Sequence, residues 1–390
     1  MLYTIPHYYN RFQCMAGSCP DTCCAGWEIA IDPKSLKKYR KAHGPLGNRL
    51  HNSIRWERGV FRQYGRRCAF LNEEGLCDLQ AEGGEGMLCQ TCRLYPRHVE
   101  EFEGVREISL SLSCIRAAQI ILGCREPVRF LRRERESQEE TFEDFDYFLY
   151  TKLTDSRDLA LAILQNRTMD INARMLMALS LAHDVQRRIR AGRLFEVDAL
   201  LTRYGKAGAA ARFQRQTAAM AFGPARRFAA VEKALAVLSS MEVLNPAWEK
   251  ERERLCRALC GGGPADYQKH WEEFQQWMGV HPELDWSVWA EQLMVYFLFT
   301  YYCGAVYDGR AYTRMKFAVY GTRVIQELAF GRWLCQGKNL SFADFADAAH
   351  CFSREVEHSD DNKNLLMDRL EDPRDYGMEA FAGSVLSENA

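Results

Sequence analysis

The chain has 390 residues, 47% of them apolar and 26% charged, with a formal net charge of −1. That length asks for two or three domains of ordinary size rather than one small core, and the near-neutral balance excludes a protein whose main business is neutralising nucleic-acid phosphates. No apolar run reaches the roughly 18 residues of a membrane span, and the opening residues lack the basic segment and apolar core of a secretory leader, so a cytoplasmic protein without a membrane or nucleic-acid partner is expected.

Thiols dominate the beginning of the chain. Eight of the fifteen cysteines fall between residues 14 and 92: Cys14, Cys19, Cys23 and Cys24 in CMAGSCPDTCCAGW, and Cys68, Cys77, Cys89 and Cys92 in CAFLNEEGLCDLQAEGGEGMLCQTC. Cys114 and Cys124 follow. In a reducing compartment, clustered thiolates are better read as ligands of zinc or of an iron–sulfur cluster than as disulfides. In CQTC a tight turn lets Cys89 and Cys92 face one metal. Cys23 and Cys24 are adjacent, and in an extended chain their side chains point to opposite sides, so one is expected to ligate while the other enters the core or serves a second site. Cys19 and Cys23 begin the C-x3-C-x2-C pattern of radical enzymes that use S-adenosylmethionine, but the third position is Gly26 and the pattern fails. Eight thiols allow two zinc sites, or one cluster with four structural cysteines.

Short alternations in WEIAID and REISLSLSC predict a few strands. Residues 1–125 therefore read as a small cysteine-rich metal-binding domain. The run CREPVRFLRRERESQEETFEDFDYF turns from basic to acidic between Arg125 and Asp146, as a linker or solvated helix face does.

Residues 126–390 read as helix. Asp155 or Ser156 can cap the segment DSRDLALAILQN. Asp170 stands before and Gly192 just after a long periodic stretch in which Met175, Leu179, Ala182, Val185 and Ile189 share one face. Further helices are predicted over about 198–220, 226–241, 246–261, 266–278, 285–303, 312–336 and 341–357. GGGP at 261–264 reads as a helix stop, and LMVYFLFTYYCGAV (293–306) as a buried helix. Cys256, Cys260, Cys303, Cys335 and Cys351 are isolated and expected to pack as small apolar residues. The fold class is thus mainly α, with the cysteine-rich domain and its few short strands packed on a larger helical domain. No dinucleotide turn, P-loop, HExxH or G-x-S-x-G is present.

The opening thiols with GWEIAID, the block CAFL…GLCDL…LCQTCRLYPR, the EISLSLSC segment ending at Cys114, and SREVEHSDDN (353–362) together resemble the flagellin lysine N-methylase family. These pieces run in order over nearly the whole chain, and the middle block also resembles a wider family of zinc- or iron-chelating proteins. The resemblance implies a protein-lysine N-methyltransferase that moves a methyl group from S-adenosylmethionine to lysines of flagellin and carries a [4Fe–4S] cluster. Its thiols map onto Cys14, Cys19, Cys23, Cys24, Cys68, Cys77, Cys89, Cys92 and Cys114, without saying which four hold the cluster. A lysine amine with a pKa of about 10.4 must shed its proton before it can be methylated, which makes Glu355, Glu357 and His358 the candidate catalytic residues. Arg93, Arg97 and His98, directly after CQTC, are the candidates for binding the cofactor carboxylate. A cationic sulfonium favours aromatic faces and carboxylates, yet Tyr296, Tyr301, Tyr302, Tyr307, Tyr312 and Tyr320 are expected to pack in the core. The alternative function is a zinc-stabilised adaptor without catalysis, or a carrier of metal or electrons.

Overall fold

The computed structural model describes residues 1–15, 18–136, 145–220, 222–223 and 225–386. The first apolar residues form strand β1 (Leu2–Pro6), whose partners come from much later in the chain. The thiol-rich stretch then folds into short pieces. Asp32 accepts the Ser35 N–H and starts helix α1 (Pro33–Arg40), followed by α2 (Gly44–Asn52). Two minimal hairpins pair β2 (Ile54–Arg55) with β3 (Val60–Phe61), and β4 (Gln63–Tyr64) with β5 (Arg67–Cys68). Helices α3 (Asp78–Gly83) and α4 (Gln90–Leu94) complete the stretch. Helices and hairpins this short are marginal alone. They lean on a small core of Ile29, Ile31, Tyr39, Leu50, Phe61, Phe70 and Leu79, in which Cys68 and Cys89 are buried. WEIAID makes no strand: only isolated bridges join Ala25 to Arg67 and Ala30 to Val60, because Asp32 and Pro33 divert the chain into α1.

Strands β6 (Arg97–Phe102) and β7 (Val105–Leu110) form a hairpin that turns at Gly104, where φ is +73°. The sheet order is β6-β7-β1-β8, with β1 parallel to β7 and antiparallel to β8 (Phe130–Glu134). Helix α5 (Ile115–Leu122) links β7 to β8. The basic half of the charge run is therefore an edge strand rather than a linker or helix face, a place where exposed arginines discourage further strand pairing. Residues 137–144 of that run lie outside the described residues.

The rest is helical. Asp146 caps α6 (Tyr147–Leu164), and Asp170 accepts the N–H groups of Asn172 and Ala173 to start α7 (Ile171–Arg190). The helix predicted over 198–220 is two, α8 (Val197–Gly205) and α9 (Ala209–Ala218), broken at Gly208 where φ is +80°. Next come α10 (Ala225–Ser239), α11 (Pro246–Cys260) and α12 (Gly263–Gly279), the triple glycine both ending α11 and starting α12. Helix α13 (Trp286–Tyr301), the short α14 (Ala305–Asp308) and α15 (Ala311–Cys335) run through the centre, and α13 and α15 are buried on almost every side. That position explains their apolar sequences; no described helix is long and apolar enough to cross a membrane. A capping box of Ser341 and Asp344 starts α16 (Phe342–Glu357). Three helices not anticipated follow: α17 (Asp360–Glu371), α18 (Pro373–Tyr376) and α19 (Met378–Leu386).

A second, larger core runs from Tyr8 through Phe102, Leu110, Leu112 and α5 to the last helix. Arg157 of α6 clamps Glu107 of β7 through two hydrogen bonds of 2.6 Å each, both side chains buried, so the sheet is tied to the helices. The small core draws only on residues 29–92, apart from the flanking Cys24 and Trp27.

Candidate functional site

The thiols gather in two places. Cys23 and Cys24 sit in a turn, not an extended segment, so the expected opposition of their side chains does not occur. Cys24 is hydrogen-bonded to both Cys23 and Cys77. Its carbonyl accepts the Cys68 N–H at 2.8 Å. Cys89 caps α4, and one turn later Cys92 places its sulfur 3.5 Å from that of Cys89. The charges of Cys24 and Cys68 act on Cys92. Elsewhere, Cys14 and Cys19 act on Cys114, the residue before α5. No disulfide joins the described cysteines.

Crowding sets the acidities. The hydrogen bond from Cys92 pulls Cys89 down to about 7, while Cys92 itself is pushed far up. The bond to Cys23, with burial behind it, lifts Cys24 to about 12. Burial lifts Cys68 and Cys114 to about 11 each. Several thiolates this close repel one another, and a cation among them removes the repulsion. An all-sulfur donor set fits zinc or an iron–sulfur cluster and is wrong for calcium or magnesium. No three of the described sulfurs lie within 4.8 Å of one another. That is wider than the ~3.8 Å expected between sulfurs around one tetrahedral zinc.

One described trio is tighter: ligand atoms of His7, Cys124 and Glu126 all lie within 4.8 Å. Here His7 Nδ1 accepts the Arg129 N–H at 3.2 Å, so the proton of the neutral ring sits on Nε2, facing Glu126 at 3.1 Å. Glu126 also takes Arg11 at 3.0 Å. The trio is satisfied by the His7–Glu126 hydrogen bond and the Glu126–Arg11 ion pair, and Nε2 has no lone pair to offer a metal.

The late motif holds the first thiol loop. Arg354 donates to the Thr22 carbonyl at 2.8 Å and to that of Ala25, and pairs with Asp21 at 2.6 Å. His350 meets the same Asp21 at 2.8 Å. Gly26 lies close enough that a Cβ there would stand 3.4 Å from the Leu244 carbonyl, and its φ of +90° also favours glycine.

Next to this clamp lies a polar network. Glu357 Oε2 accepts hydrogen bonds from Tyr296 at 2.6 Å and from Tyr301. Oε1 is shielded from solvent, and the Ser353 hydroxyl is in a position to hydrogen-bond the carboxylate. Burial raises the Glu357 carboxyl above its ordinary value. His358 stacks on Trp27 at 5.0 Å, lies 5.7 Å from the Tyr95 ring, and sets Nε2 2.6 Å from Ser113 Oγ. Burial drives its pKa down to about 4, so the ring is neutral. Ser113 in turn meets Ser111 at 2.6 Å and takes the Tyr95 hydroxyl on its carbonyl at 2.8 Å. Trp27, Tyr95, Tyr301, Glu357 and His358 each keep part of their surface exposed. A cleft of about 220 Å³ opens beside Tyr301, with Glu100, Arg314, Phe317 and Lys363 in its walls.

Among the candidates drawn from sequence, Glu357, His358 and His98 come together; His98 lies 5.7 Å from the Tyr301 ring and bonds Glu100 at 2.7 Å. Glu355 points elsewhere and accepts the backbone N–H groups of Leu244 and Asn245 at 2.9 and 3.0 Å. Arg97 precedes His98 in β6, so it faces the other way, over Tyr9 and Phe12. Arg93 is exposed on α4. The structure thus does not gather Arg93, Arg97 and His98 around one ligand. Trp27, Tyr95, Ser111 and Ser113 were missed. Their signal was adjacency to the thiols in GWEIAID, CRLYPR and SLSC. The hydroxyls of Tyr296 and Tyr301 were hidden by an apolar helix pattern.

A family model described as the FliB lysine N-methylase C-terminal domain matches residues 157–382. The chain is 28% identical over 148 residues to a lysine-N-methylase of Salmonella typhimurium, and 27% identical over 148 residues to one of Salmonella choleraesuis, each match covering 36% of either protein. It is also 28% identical over 129 residues to the flagellar biosynthetic protein FliU of Salmonella muenchen, covering 31% of this chain and 76% of that protein. The chain thus spans about a third of the length of the two lysine-N-methylases it matches. No solved structure matches.

Proposed function

The chain belongs to the FliB lysine N-methylase family, and from that premise we propose that it methylates lysine side chains of flagellin, using S-adenosylmethionine as methyl donor. The observation that carries this reading is Glu357, a shielded carboxylate held on one oxygen by Tyr296 and Tyr301 with the Ser353 hydroxyl beside the group. A target lysine enters through the cleft beside Tyr301 and gives its proton to this carboxylate, whose raised pKa makes it a stronger base. The neutral nitrogen then bonds to the methyl carbon as the carbon–sulfur bond breaks, leaving the thioether. His358 stays uncharged and does not repel the cationic donor, while Trp27 and Tyr95 offer it aromatic faces.

Thiols of the two groups would hold the [4Fe–4S] cluster that the family resemblance implies, and zinc suits the same donors. When bound, such a cluster supplies a Lewis-acidic iron or an electron.

The test is mass spectrometry of flagellin incubated anaerobically with the metal-loaded protein and S-adenosylmethionine. Each methyl transferred adds the mass of one CH₂ to a lysine. The isosteric change Glu357→Gln, with circular dichroism unchanged, is expected to slow the reaction by about 10²–10⁴-fold, the usual contribution of a general base. An unmodified flagellin, or a Glu357→Gln protein as active as the parent, overturns the reading.

A further inference from the structure

We propose that Glu100 and Tyr307 form a recognition site for the protonated acceptor lysine, one step outside the carboxylate that takes its proton. The proposal rests on the methyl-transfer reading above and adds to it how the substrate side chain is held before chemistry begins. Both residues line the cleft beside Tyr301. Three cations also stand in its walls, and each is already matched: Arg314 to Asp308 at 2.8 Å, Arg310 to Asp368 at 3.0 Å, and Lys363 to Asp360 at 3.0 Å. Glu100 is matched differently. Its Oε1 meets His98 Nε2 at 2.7 Å, a partner that carries charge only when protonated. Among the described residues Glu100 forms no ion pair with a lysine or arginine, and its side chain is 30% exposed. An incoming ammonium therefore finds in Glu100 a wall carboxylate that no such cation neutralises.

Tyr307 supplies the apolar half of the site. Its ring is 54% exposed yet fixed in place, because its hydroxyl donates to the Glu101 carbonyl at 2.9 Å and its ring lies parallel to that of Phe102 at 6.2 Å. An aromatic face held rigid at the edge of a polar cleft suits the four-carbon stem of a lysine, whose head then meets the acid.

Tyr301 joins this site to the base. It lines the same cleft, its ring lies 5.7 Å from that of His98, and its hydroxyl donates to Glu357. The two acids are thus linked through one tyrosine, Glu100 partly exposed and Glu357 shielded. An exposed carboxylate favours the charged ammonium, and a shielded site, where desolvation penalises charge, favours the neutral amine. Binding and deprotonation are divided between them.

That division has a kinetic signature. Metal-loaded, full-length protein is assayed with flagellin at saturating S-adenosylmethionine, and flagellin binding is measured separately without the donor. Glu100→Gln, with circular dichroism unchanged, is expected to raise both KM and Kd for flagellin about 10-fold or more, as loss of a charged hydrogen bond does, and to leave kcat within about twofold. Glu100→Asp should recover part of the affinity, and Tyr307→Phe, which keeps the ring, should bind more tightly than Tyr307→Ala. Flagellin with acetylated lysines should bind wild type as weakly as untreated flagellin binds Glu100→Gln, and the variant no more weakly still, because the two changes remove the same contact. Unchanged KM and Kd in Glu100→Gln overturn the proposal, as does a fall in kcat with KM unchanged, which would place Glu100 in the chemical step. Flagellin that binds in a Glu100-dependent way but gains no methyl would overturn the functional reading and leave this one standing.

Discussion

Glu355 and Glu357 stand two apart on α16, and residues so spaced do not share a helix face. Glu355 turns to the loop before α11 and holds two backbone N–H groups there, while Glu357 turns to the tyrosines. Burial raises the Glu355 carboxyl from 4.5 to about 7, its hydrogen bonds opposing the shift. Between those values the folded state binds more protons at this site than the unfolded chain does. Stability therefore falls as pH rises through the window, by about 3 kcal/mol at most, and stays lowered above it. His358 acts in the opposite sense: its depressed pKa of about 4 removes stability as pH falls below 6.5. Glu355→Gln is expected to cancel the first dependence alone. Urea unfolding at pH 5 and pH 8 checks it: wild type should lose stability relative to the variant on going to pH 8, and two parallel profiles would show that Glu355 is ionised throughout. The sequence placed both acids in one motif. It could not tell them apart, because the phase of α16 is set by the loop at 244–245 and by α13, which lie far off in the chain.

At the scale of elements, α16 carries two kinds of contact: Glu357 near its end bonds the tyrosines, and Arg354, with His350, grips the cysteine loop. The guanidinium satisfies two loop carbonyls and Asp21 at once, which a lysine with its single ammonium cannot reproduce. Removing it leaves two half-buried loop carbonyls without this donor and a carboxylate with only His350 for company. Arg354→Ala should cost about 3 kcal/mol, and Arg354→Lys should recover little of it. The local consequence is sharper: Cys23 and Cys24 should react faster with an alkylating reagent, read by peptide mass spectrometry, than Cys256 or Cys335 do. Equal acceleration at all four would mean general loosening and no clamp. Such long helices were legible because periodicity and caps are local signals, as Asp170 and Ser341 show. What escaped was non-local or hidden in composition. β1 is a strand because β7 and β8 flank it, WEIAID fails as one because α1 starts at once, and the long 198–220 pattern conceals a turn at Gly208.

The whole molecule rests on two cores of unequal strength. In the large one α13 and α15 are almost wholly buried, and long helices surround them. In the small one no helix exceeds nine residues and no strand exceeds two. The join between them is polar: Arg66 donates to the Leu244 carbonyl at 3.0 Å and to that of Val243, in the loop Glu355 holds from the other side. Stability in such a protein is not uniform, and the less supported part opens first. Thiolate–metal bonds would act on the small core, because binding energy at a site absent from the unfolded chain is folding energy. Metal removal is thus expected to unfold residues 24–92 locally while the helices persist. Hydrogen exchange followed by mass spectrometry, before and after chelation under reducing conditions, measures this directly. Amides of α1, α2 and the two small hairpins should lose protection tenfold for each ~1.4 kcal/mol withdrawn, and those of α13 and α15 should not change. Uniform loss across both cores would mean that the chain unfolds as one unit, and unchanged exchange in the small core would mean that its apolar side chains suffice without metal.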